Sequence, residues 1–378
     1  MFHLYTTVAC LYLLVRFVYP LRLPAAWRWL IALVLIFASK YHLLTLFFTG
    51  TMFSPEVPYW LAYGAGWAFS TFALLFVLTL VADLGLLAIR LLKRSALNGK
   101  VVMGMRCGVA AIAVVLSGYG VAQATRVPEV KRVELHIRNL PAQMDGYRLV
   151  QLSDLHISSL FPRPWVEQVV ARTNALSPDL IVITGDLIDG TLDARSNDVT
   201  PLADLRALHG VIAIQGNHEY YFGNEGWMAK FRSQGMHILL NQHTVVTDAR
   251  GSLVVTGVTD KVAINYGGEG PNLNAALKGA PEHVPVVLLN HRPDAVAESA
   301  RAGIDLQLSG HTHGGMIIGF DQVVAAANQG YVSGMYRVAG MQLYVSNGTG
   351  LWNGFPIRLG VPSEITEFVL RPGPPPKP

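Results

Sequence analysis

Five short apolar runs in the second half of the chain end in side chains that could bind metal ions or move protons. The runs and their polar ends are Tyr147–Ser153 with Asp154 and His156, Leu180–Thr184 with Asp186 and Asp189, Val211–Gln215 with Asn217, His218 and Glu219, Val284–Leu289 with His291, and Ile304–Leu308 with His311 and His313. Carboxylate, imidazole and amide groups of this kind are ligands for divalent transition metals. In α/β sheets ligands bind beyond the carboxyl ends of the strands, so these five ends are expected to converge on one site.

The spacing within these ends favours a shared metal centre. In the segments Asp154–His156 and His311–His313, alternate residues of an extended backbone project to the same side. Glycines precede Asp186, Asn217 and His311, where they permit sharp turns and a close approach of the backbone. Each fragment alone is common in turns and helix caps, but the five together, each after an apolar run, indicate a functional site.

These motifs resemble those of the calcineurin-like metallophosphoesterases over about residues 145–370. The end of the chain is more specifically similar to a membrane-anchored bacterial branch of phosphodiesterases, through Tyr344–Gly348, Pro356–Leu359 and Pro362–Ile365. The resemblance implies a four-layer αββα sandwich with a two-metal site between the loop ends of two sheets. Two positions depart from the branch, which commonly has Arg in place of Asn347 and Gln in place of Met316. Neither is an expected metal ligand, so the departures concern substrate contacts.

The resemblance also implies which residues hold each metal ion. One ion would be bound by Asp154, His156, Asp186 and His313, and the other by Asp186 as a bridge, Asn217, His291 and His311. A bridging carboxylate can hold two ions about 3.5–4 Å apart, which activate a water molecule and clamp phosphoryl oxygens. The metal-bound hydroxide would then attack phosphorus in line. Because the donors are nitrogen and oxygen only, the set suits two ions of Mn, Fe, Zn, Ni or Co.

His218 is the candidate general acid, because it follows the expected ligand Asn217 and a leaving alkoxide needs a proton. Glu219 or Asp189 could orient the His218 ring. Alternatively, either carboxylate caps a helix, which is the interpretation favoured for Asp189.

Aromatic side chains flank the expected ligands, and they have two interpretations. They are Phe161, Trp165, Tyr220–Phe222, Trp352 and Phe355. Individually they are expected to pack the loops. As a group they would suit a substrate with a lipid part.

The first third of the chain has a different composition from the rest. Of the 378 residues 51% are hydrophobic and 14% are charged, whereas soluble proteins carry about 25% charged residues. Residues 1–125 contain nine Lys and Arg and two acidic residues, and residues 126–378 contain twenty and twenty-three. The C-terminal two-thirds therefore lacks the basic surplus that nucleic-acid binding needs, and no nucleic-acid partner is expected.

Four apolar stretches are predicted to span a lipid bilayer, at about residues 1–20, 27–49, 60–92 and 101–124. The first and third loops are basic, whereas the loop Thr49–Pro58 has no Lys or Arg, so residues 126–378 are predicted to face the extracytoplasmic side of the cell (inner) membrane. Lys40 and Asp83 lie inside two spans, where we expect snorkelling or an ion pair between neighbouring helices. Ala122–Ala124 also has the outline of a signal-peptide cleavage site, an alternative to the fourth span.

The predicted organisation combines a membrane region with an α/β domain. It comprises an α-helical transmembrane bundle of four spans at 1–125, a linker and first strand at 126–144, an α/β metallophosphoesterase domain at 145–371 and a Pro-rich tail at 372–378. Helical segments such as Val166–Leu176 and Ala295–Ala302 alternate with the apolar runs, which is typical of parallel sheets.

The leading hypothesis is a membrane-tethered, dinuclear-metal hydrolase of phosphodiester or pyrophosphate bonds. Only about 30 residues separate the last span from the first ligand, so a lipid-linked substrate is one option. The alternatives are a phosphomonoesterase or protein phosphatase, and a non-catalytic, metal-dependent sensor domain on a membrane scaffold. A complete ligand set together with a candidate acid favours the enzyme.

Overall fold

The computed structural model describes residues 1–52, 54–93 and 98–373, and the chain divides into two compact units. The first unit comprises Met1–Ala124 together with Asn353–Leu359, and the second comprises Thr125–Trp352 together with the chain from Gly360 onwards. Residues 374–378 of the predicted Pro-rich tail and Arg94 of the third loop lie outside the described residues.

Four apolar helices make up most of the first unit. They are α1 (Phe2–Leu13, continued by a π-helical turn at Leu14–Val18), α2 (Ala25–Thr49), α3 (Tyr59–Lys93) and α4 (Gly99–Thr125). Within the described residues α2, α3 and α4 are long and apolar enough to cross a membrane, so the prediction of four spans is corrected to three. The first apolar helix covers only Phe2–Val18. It is about 26 Å long at the usual helical rise, and Pro20 prevents its extension to the roughly 30 Å of a bilayer core.

The charged side chains that were predicted inside the spans have polar partners. The Asp83 carboxylate accepts hydrogen bonds from Tyr12 Oη at 2.7 Å and from Arg16 Nε at 2.8 Å. The Lys40 ammonium group donates to Thr7 Oγ1. The contact between Arg16 and Asp83 is an ion pair between neighbouring helices, as expected, and it gives the carboxylate a partner in apolar surroundings.

The segment Asn353–Leu359 packs among the helices of the first unit. The His42 Nε2 atom donates to the Gly354 carbonyl oxygen at 2.6 Å, and the Arg358 amide donates to the Gly120 carbonyl oxygen at 3.0 Å. This approach requires glycine at position 120, because a Cβ there would lie 2.5 Å from a side-chain carbon of the segment. His42 and Arg358 are almost completely buried, so the segment belongs to the interior of this unit.

The second unit contains two six-stranded sheets. The strands are β1 (Glu129–Ile137), β2 (Tyr147–Leu152), β3 (Leu180–Thr184), β4 (Val211–Ile214), β5 (Met236–Ile238), β6 (Gln242–Asp248), β7 (Gly251–Gly257), β8 (Val286–Leu289), β9 (Leu306–Ser309), β10 (Gly334–Val338), β11 (Met341–Val345) and β12 (Glu364–Pro372). The first sheet has the order β1-β12-β2-β3-β4-β5, with β2 to β5 parallel. The second has the order β10-β11-β9-β8-β7-β6, with β7, β8, β9 and β11 parallel. The five predicted apolar runs are β2, β3, β4, β8 and β9.

The remaining helices of the second unit are short. They are α5 (Arg163–Asn174), α6 (Leu192–Arg195), α7 (Asn217–Tyr221), α8 (Asn224–Ser233), α9 (Leu273–Leu277), α10 (Val296–Arg301) and α11 (Asp321–Ala327). Because alternate strand residues face opposite sides, each sheet can bury both of its faces.

The hydrophobic core lies between the two sheets, with helices outside them. Leu149 and Val182 of the first sheet pack in one cluster with Val287 and Leu308 of the second. On the opposite face of the second sheet, Leu288 belongs to a separate cluster with residues of α9 and α10. Helix α8 lies beside β5 of the first sheet. The layers agree with the predicted αββα sandwich.

Candidate metal centre

The candidate ligands lie where the carboxyl ends of the parallel strands of both sheets meet. They follow β2 (Asp154 and His156), β3 (Asp186), β4 (Asn217), β8 (His291) and β9 (His311 and His313). Those that follow β2, β3, β4 and β8 are at most 4% exposed, and the two histidines after β9 are partly exposed. The structure therefore brings together all of the metal-binding residues that the sequence predicts.

The backbone is left-handed at several of these positions. The φ angle is +52° at Asp154, +45° at His156, +54° at Asp186, +69° at His311 and +50° at His313. Asp and His tolerate this region better than most residues, at a cost of about 1–3 kcal/mol each. Contacts between the loops hold the conformation: the His156 amide donates to the Asp186 carbonyl oxygen at 3.0 Å, and the His311 amide donates to the Asp154 carboxylate at 3.0 Å.

A first group of donor atoms comprises Asp154, His156 and His313. The Nε2 atoms of the two histidines lie 3.2 Å apart, and His313 Nε2 lies 3.8 Å from Asp154 Oδ1. His156 Nδ1 lies 3.1 Å from Asp189 Oδ1, so the ring donates to that carboxylate and turns Nε2 towards the other ligands. A carboxylate behind the imidazole is the usual support of a metal-binding histidine.

A second group comprises Asp186, His291 and His311, with Asn217 beside them. His291 Nε2 lies 3.2 Å from Asp186 Oδ2 and 3.2 Å from Asn217 Oδ1. His156 Nε2 of the first group lies 3.8 Å from the same Asp186 oxygen. One carboxylate oxygen thus lies between the two groups, which is the position that a bridging ligand needs.

The chemistry of the second group fits a divalent cation. His291 Nδ1 donates to the Thr184 carbonyl oxygen at 2.8 Å, which leaves a lone pair on Nε2 of the neutral ring. That lone pair faces two more acceptors, the oxygens of Asp186 and Asn217. Burial lowers the pKa of His291, but the Asp186 and Asp154 carboxylates outweigh burial and raise this pKa to about 10. A proton on Nε2 is therefore stabilised by the surrounding oxygens. A metal ion at the same position would be bound by Nε2 and the oxygens of Asp186 and Asn217.

His218 lies beside both groups and is oriented by Asp189. Its Nδ1 donates to Asp189 Oδ1, and its Nε2 lies 3.9 Å from Asp186 Oδ2. Burial lowers the pKa of His218, but the Asp186 and Asp189 carboxylates outweigh it and raise the pKa to about 9. Burial would raise the pKa of Asp189, but its histidine partners lower it to about 2. The favoured prediction that Asp189 caps a helix is wrong, since α6 begins at Leu192 and is capped by Thr191.

Glu219 holds the loops that carry the ligands. Its fully buried carboxylate accepts backbone N–H groups from Leu187 at 2.7 Å, Asp186 at 3.1 Å and Gly216 at 2.6 Å. Gly216 precedes α7, so this contact is a helix cap, as one of the two interpretations expected. Burial and the Asp186 carboxylate raise the pKa of Glu219 to about 7, although its bonds to the amides oppose them. A Cβ at Gly216 would overlap the Asp186 carboxylate, so this loop requires glycine.

Sequence reasoning does not identify two further residues of the site, Arg292 and Asp260. The Arg292 guanidinium donates to His311 Nε2 at 2.6 Å and to Asn217 Oδ1 at 3.0 Å, and its Nε donates to Asp260 Oδ2 at 2.7 Å. Burial, and then the charges of His291 and Arg292, lower the pKa of His311 well below its usual range, so the neutral ring accepts this bond. Asp260 follows β7 as the other site residues follow their strands, and that position is the signal available in the sequence.

The aromatic residues near the ligands fall into two sets. Phe161 and Trp165 are at most 6% exposed and pack on each other with ring centroids 4.7 Å apart. Tyr221 and Tyr266 are 37% and 55% exposed. The Tyr221 ring centroid lies 5.2 Å from that of His218 and 6.3 Å from that of Tyr266. Loop packing explains the first set, whereas Tyr221 and Tyr266 form an exposed aromatic wall beside His218.

Asn347, one of the two positions that depart from the bacterial branch, joins neighbouring loops. Its Oδ1 accepts from Ser333 Oγ at 2.6 Å, and its Nδ2 donates to the Pro362 carbonyl oxygen at 3.1 Å. Met316, the other departure, has a left-handed backbone with φ +61° directly after the loop of His313.

The chain is similar to proteins of known family. Residues 147–315 match the family model described as calcineurin-like phosphoesterase. A transmembrane protein with metallophosphoesterase domain from Danio rerio is 35% identical over 269 residues, which cover 69% of this chain and 61% of that protein. The uncharacterized metallophosphoesterase YkuE of Bacillus subtilis is 31% identical over 262 residues, which cover 67% of this chain and 90% of YkuE. The chain thus spans 61% of the transmembrane relative and most of YkuE.

Solved structures show more distant similarity. The NAD nucleotidase of Haemophilus influenzae aligns with a TM-score of 0.39 and 16% identity, over 54% of this chain and 45% of that chain. An archaeal phosphodiesterase aligns with a TM-score of 0.31 and 12% identity, over 53% of this chain and 84% of that chain. The family match over the site-bearing residues and the extent of the match to YkuE show that this chain belongs to the calcineurin-like metallophosphoesterases.

Proposed function

We propose that this protein is a membrane-tethered hydrolase of phosphodiester or pyrophosphate bonds that uses two divalent metal ions. The observation that carries the proposal is one oxygen of Asp186, which lies 3.8 Å from His156 Nε2 and 3.2 Å from His291 Nε2. A carboxylate oxygen flanked by two groups of donors fits a bridged pair of ions. The proposed ligands of one ion are Asp154, His156, Asp186 and His313, and those of the other are Asp186, Asn217, His291 and His311. Mn, Fe, Zn, Ni and Co all suit nitrogen and oxygen donors.

Each part of the site has a proposed role in the reaction. The ions would supply an activated water molecule and positive charge for the phosphoryl oxygens. His218 would give the leaving oxygen its proton from Nε2, which faces Asp186, while its Nδ1 is held by Asp189. The same Asp189 oxygen also accepts from His156, so one carboxylate orients both the acid and a ligand.

We favour a substrate with an apolar part, such as a lipid-linked phosphodiester. The aromatic wall of Tyr221 and Tyr266 lies beside His218, and Ile264 is 65% exposed two residues before Tyr266. Exposed apolar side chains next to a polar site are suited to amphipathic ligands. Because the leaving group must lie close to the ring that protonates it, an apolar leaving group would contact this wall.

We propose that the catalytic domain, residues 145–371, faces the extracytoplasmic side of the inner membrane. Arg90, Lys100 and Arg106 flank the connection between α3 and α4, whereas the connection between α2 and α3 has no Lys or Arg. The positive-inside rule then makes the α3–α4 connection cytoplasmic, and α4 leads the chain outwards. This argument holds whether or not Phe2–Val18 spans the membrane.

The function is tested by hydrolysis of bis(p-nitrophenyl) phosphate and p-nitrophenyl phosphate by the full-length protein in detergent. Each of Mn, Fe, Zn, Ni and Co is supplied in turn, and bound metal is counted by mass spectrometry. We expect faster turnover of the diester, with two ions per chain. A preference for the monoester would favour a phosphomonoesterase instead. Metal binding with turnover of neither substrate would favour the sensor.

Asp186→Asn tests the bridge. The amide keeps the size of the side chain but removes the charge that both ions would share, so occupancy should fall at both sites and activity should be abolished. The matched control is Asp193→Asn, because Asp193 is exposed on α6. Two metal ions per chain and near-normal turnover in Asp186→Asn would contradict the assignment.

A further inference from the structure

Arg292 directs a positive charge towards atoms that are expected to bind cations. Its guanidinium lies 2.6 Å from His311 Nε2 and 3.0 Å from Asn217 Oδ1. Both atoms belong to the proposed second metal site. A guanidinium next to a divalent ion is repelled by it unless an anion lies between them. The arrangement therefore indicates that an anionic group binds at this end of the site.

Asp260 fixes the stem of Arg292. The Asp260 side chain is 1% exposed, and its Oδ2 accepts from Arg292 Nε at 2.7 Å. Its Oδ1 accepts from the Val262 amide at 2.8 Å, so the carboxylate is itself held at the start of a 3₁₀ turn. Because Asp260 accepts from Nε, it is the two Nη groups that face His311 and Asn217, and they would be free to bind an anion once those two residues bind a metal ion. A planar guanidinium fork matches the oxygens of a phosphoryl group, with which it forms two parallel hydrogen bonds.

We infer that Arg292 binds the phosphoryl group of the substrate through its two Nη groups, and that Asp260 positions it. The inference rests on the proposed phosphoester hydrolysis, whose substrate is anionic. In this arrangement the metal ions would contact the phosphoryl group from one side, and Arg292 would contact it from another. The Asp260 charge balances that of Arg292, so the clamp adds hydrogen bonds without increasing the net charge of the site.

The contacts of this clamp are to non-bridging phosphoryl oxygens, which inorganic phosphate shares with the ester substrates. Inorganic phosphate is therefore a suitable probe, and its binding does not require turnover. Calorimetric titration of the full-length, Mn²⁺-loaded protein in detergent measures this affinity directly. Bound metal is counted in the same samples, and the thermal unfolding midpoint reports whether each variant is folded.

Arg292→Gln should weaken phosphate binding by about 10- to 100-fold, the range for hydrogen bonds to a charged group, and leave bound metal unchanged. Arg292→Lys keeps the charge but not the fork, so its loss should be smaller, and it serves where the Gln variant does not fold. Asp260→Asn should weaken binding less than Arg292→Gln does. The matched control is Arg250→Gln, because Arg250 pairs with Asp179 and Asp248 at 2.7 and 2.8 Å in a turn before β7. Its phosphate affinity should equal that of the wild type.

Two results would overturn the inference. One is unchanged phosphate affinity in Arg292→Gln with both metal ions retained. The other is loss of a metal ion in both Arg292 variants, because the residue would then support the metal site rather than the substrate. Phosphate binding by a wild-type protein that hydrolyses neither ester would instead count against the proposed function. In that case the comparison between Arg292→Gln and Arg250→Gln would still decide the role of Arg292.

Discussion

Replacement of Glu219 by Gln should loosen the two loops that carry Asp186 and Asn217. Glu219 Oε1 accepts from the Leu187 amide, and Oε2 accepts from the amides of Asp186 and Gly216. Gln has nearly the same size, but it has one acceptor oxygen and an NH₂ donor in place of the second. The NH₂ group would face at least one backbone N–H, and two donors cannot bond to each other.

The magnitude follows from the number of amides that lose their acceptor. The carboxamide oxygen can replace Oε2 and keep two amides, or replace Oε1 and keep one, so one or two buried N–H groups are left unsatisfied. Each costs about 1–3 kcal/mol, which gives a loss of about 1–6 kcal/mol in the local stability of these loops. A loss of about 1.4 kcal/mol lowers amide protection tenfold. Over most of this range we therefore expect protection to fall by about tenfold or more.

Hydrogen exchange of the metal-loaded, full-length protein measures this effect. Peptides that cover residues 184–188 and 214–218 should exchange faster in Glu219→Gln, and metal occupancy should fall with them. The measurement belongs at about pH 8, where Glu219 is ionised, because its pKa is about 7. The control is Glu298→Gln, since Glu298 is exposed on α10. Equal protection of the Asp186 and Leu187 amides in Glu219→Gln and the wild type would refute the role of Glu219 in holding these loops.

Three other predictions concern the acid, the topology and the turn after β4. His218→Ala should keep its metal ions and slow hydrolysis by about 10²–10⁴-fold, with a larger loss for alkoxide than for nitrophenolate leaving groups. Equal losses for both leaving groups would contradict the role of His218 as an acid and would indicate that it binds phosphate instead. Alkaline phosphatase fused after Arg126 should be active, whereas fluorescence of a cytoplasmic reporter fused there would reject the proposed orientation. Gly216→Ala should lower metal occupancy, because its methyl group overlaps the Asp186 carboxylate; Gly268→Ala, where a Cβ has ordinary contacts, should not.

The five strands that carry the ligands could be predicted from the sequence because they are buried on both faces. A strand of this kind, such as Leu180–Thr184, is a continuous apolar run, and its polar end is visible directly after it. The parallel pairing of neighbouring strands then brings those ends to one edge, so local pattern and general sheet geometry together locate the site.

Roles that depend on contacts between loops could not be predicted in the same way. Asp189 was one of two candidates to orient His218, but capping of a helix was favoured for it, because its bond to His218 joins residues that are 29 positions apart. The pair of Arg292 and Asp260 joins residues 32 positions apart. No local pattern specifies such pairs. The prediction that the first apolar stretch spans the membrane was wrong for a different reason. Apolar composition continues beyond Val18, where the helix ends.

The position of Asn353–Leu359 in the first unit limits how this protein can be dissected. The chain passes from the first unit to the second at Thr125, returns at Asn353 and leaves again at Gly360, so no single cut separates the two. A fragment that begins at Arg126 would keep this segment without the helices that bury Ile357 and Arg358. Water would then reach a surface that is interior in the intact protein, and the fragment would be prone to aggregate. Transfer of the N-terminal helices of this protein to another domain must therefore include this late segment.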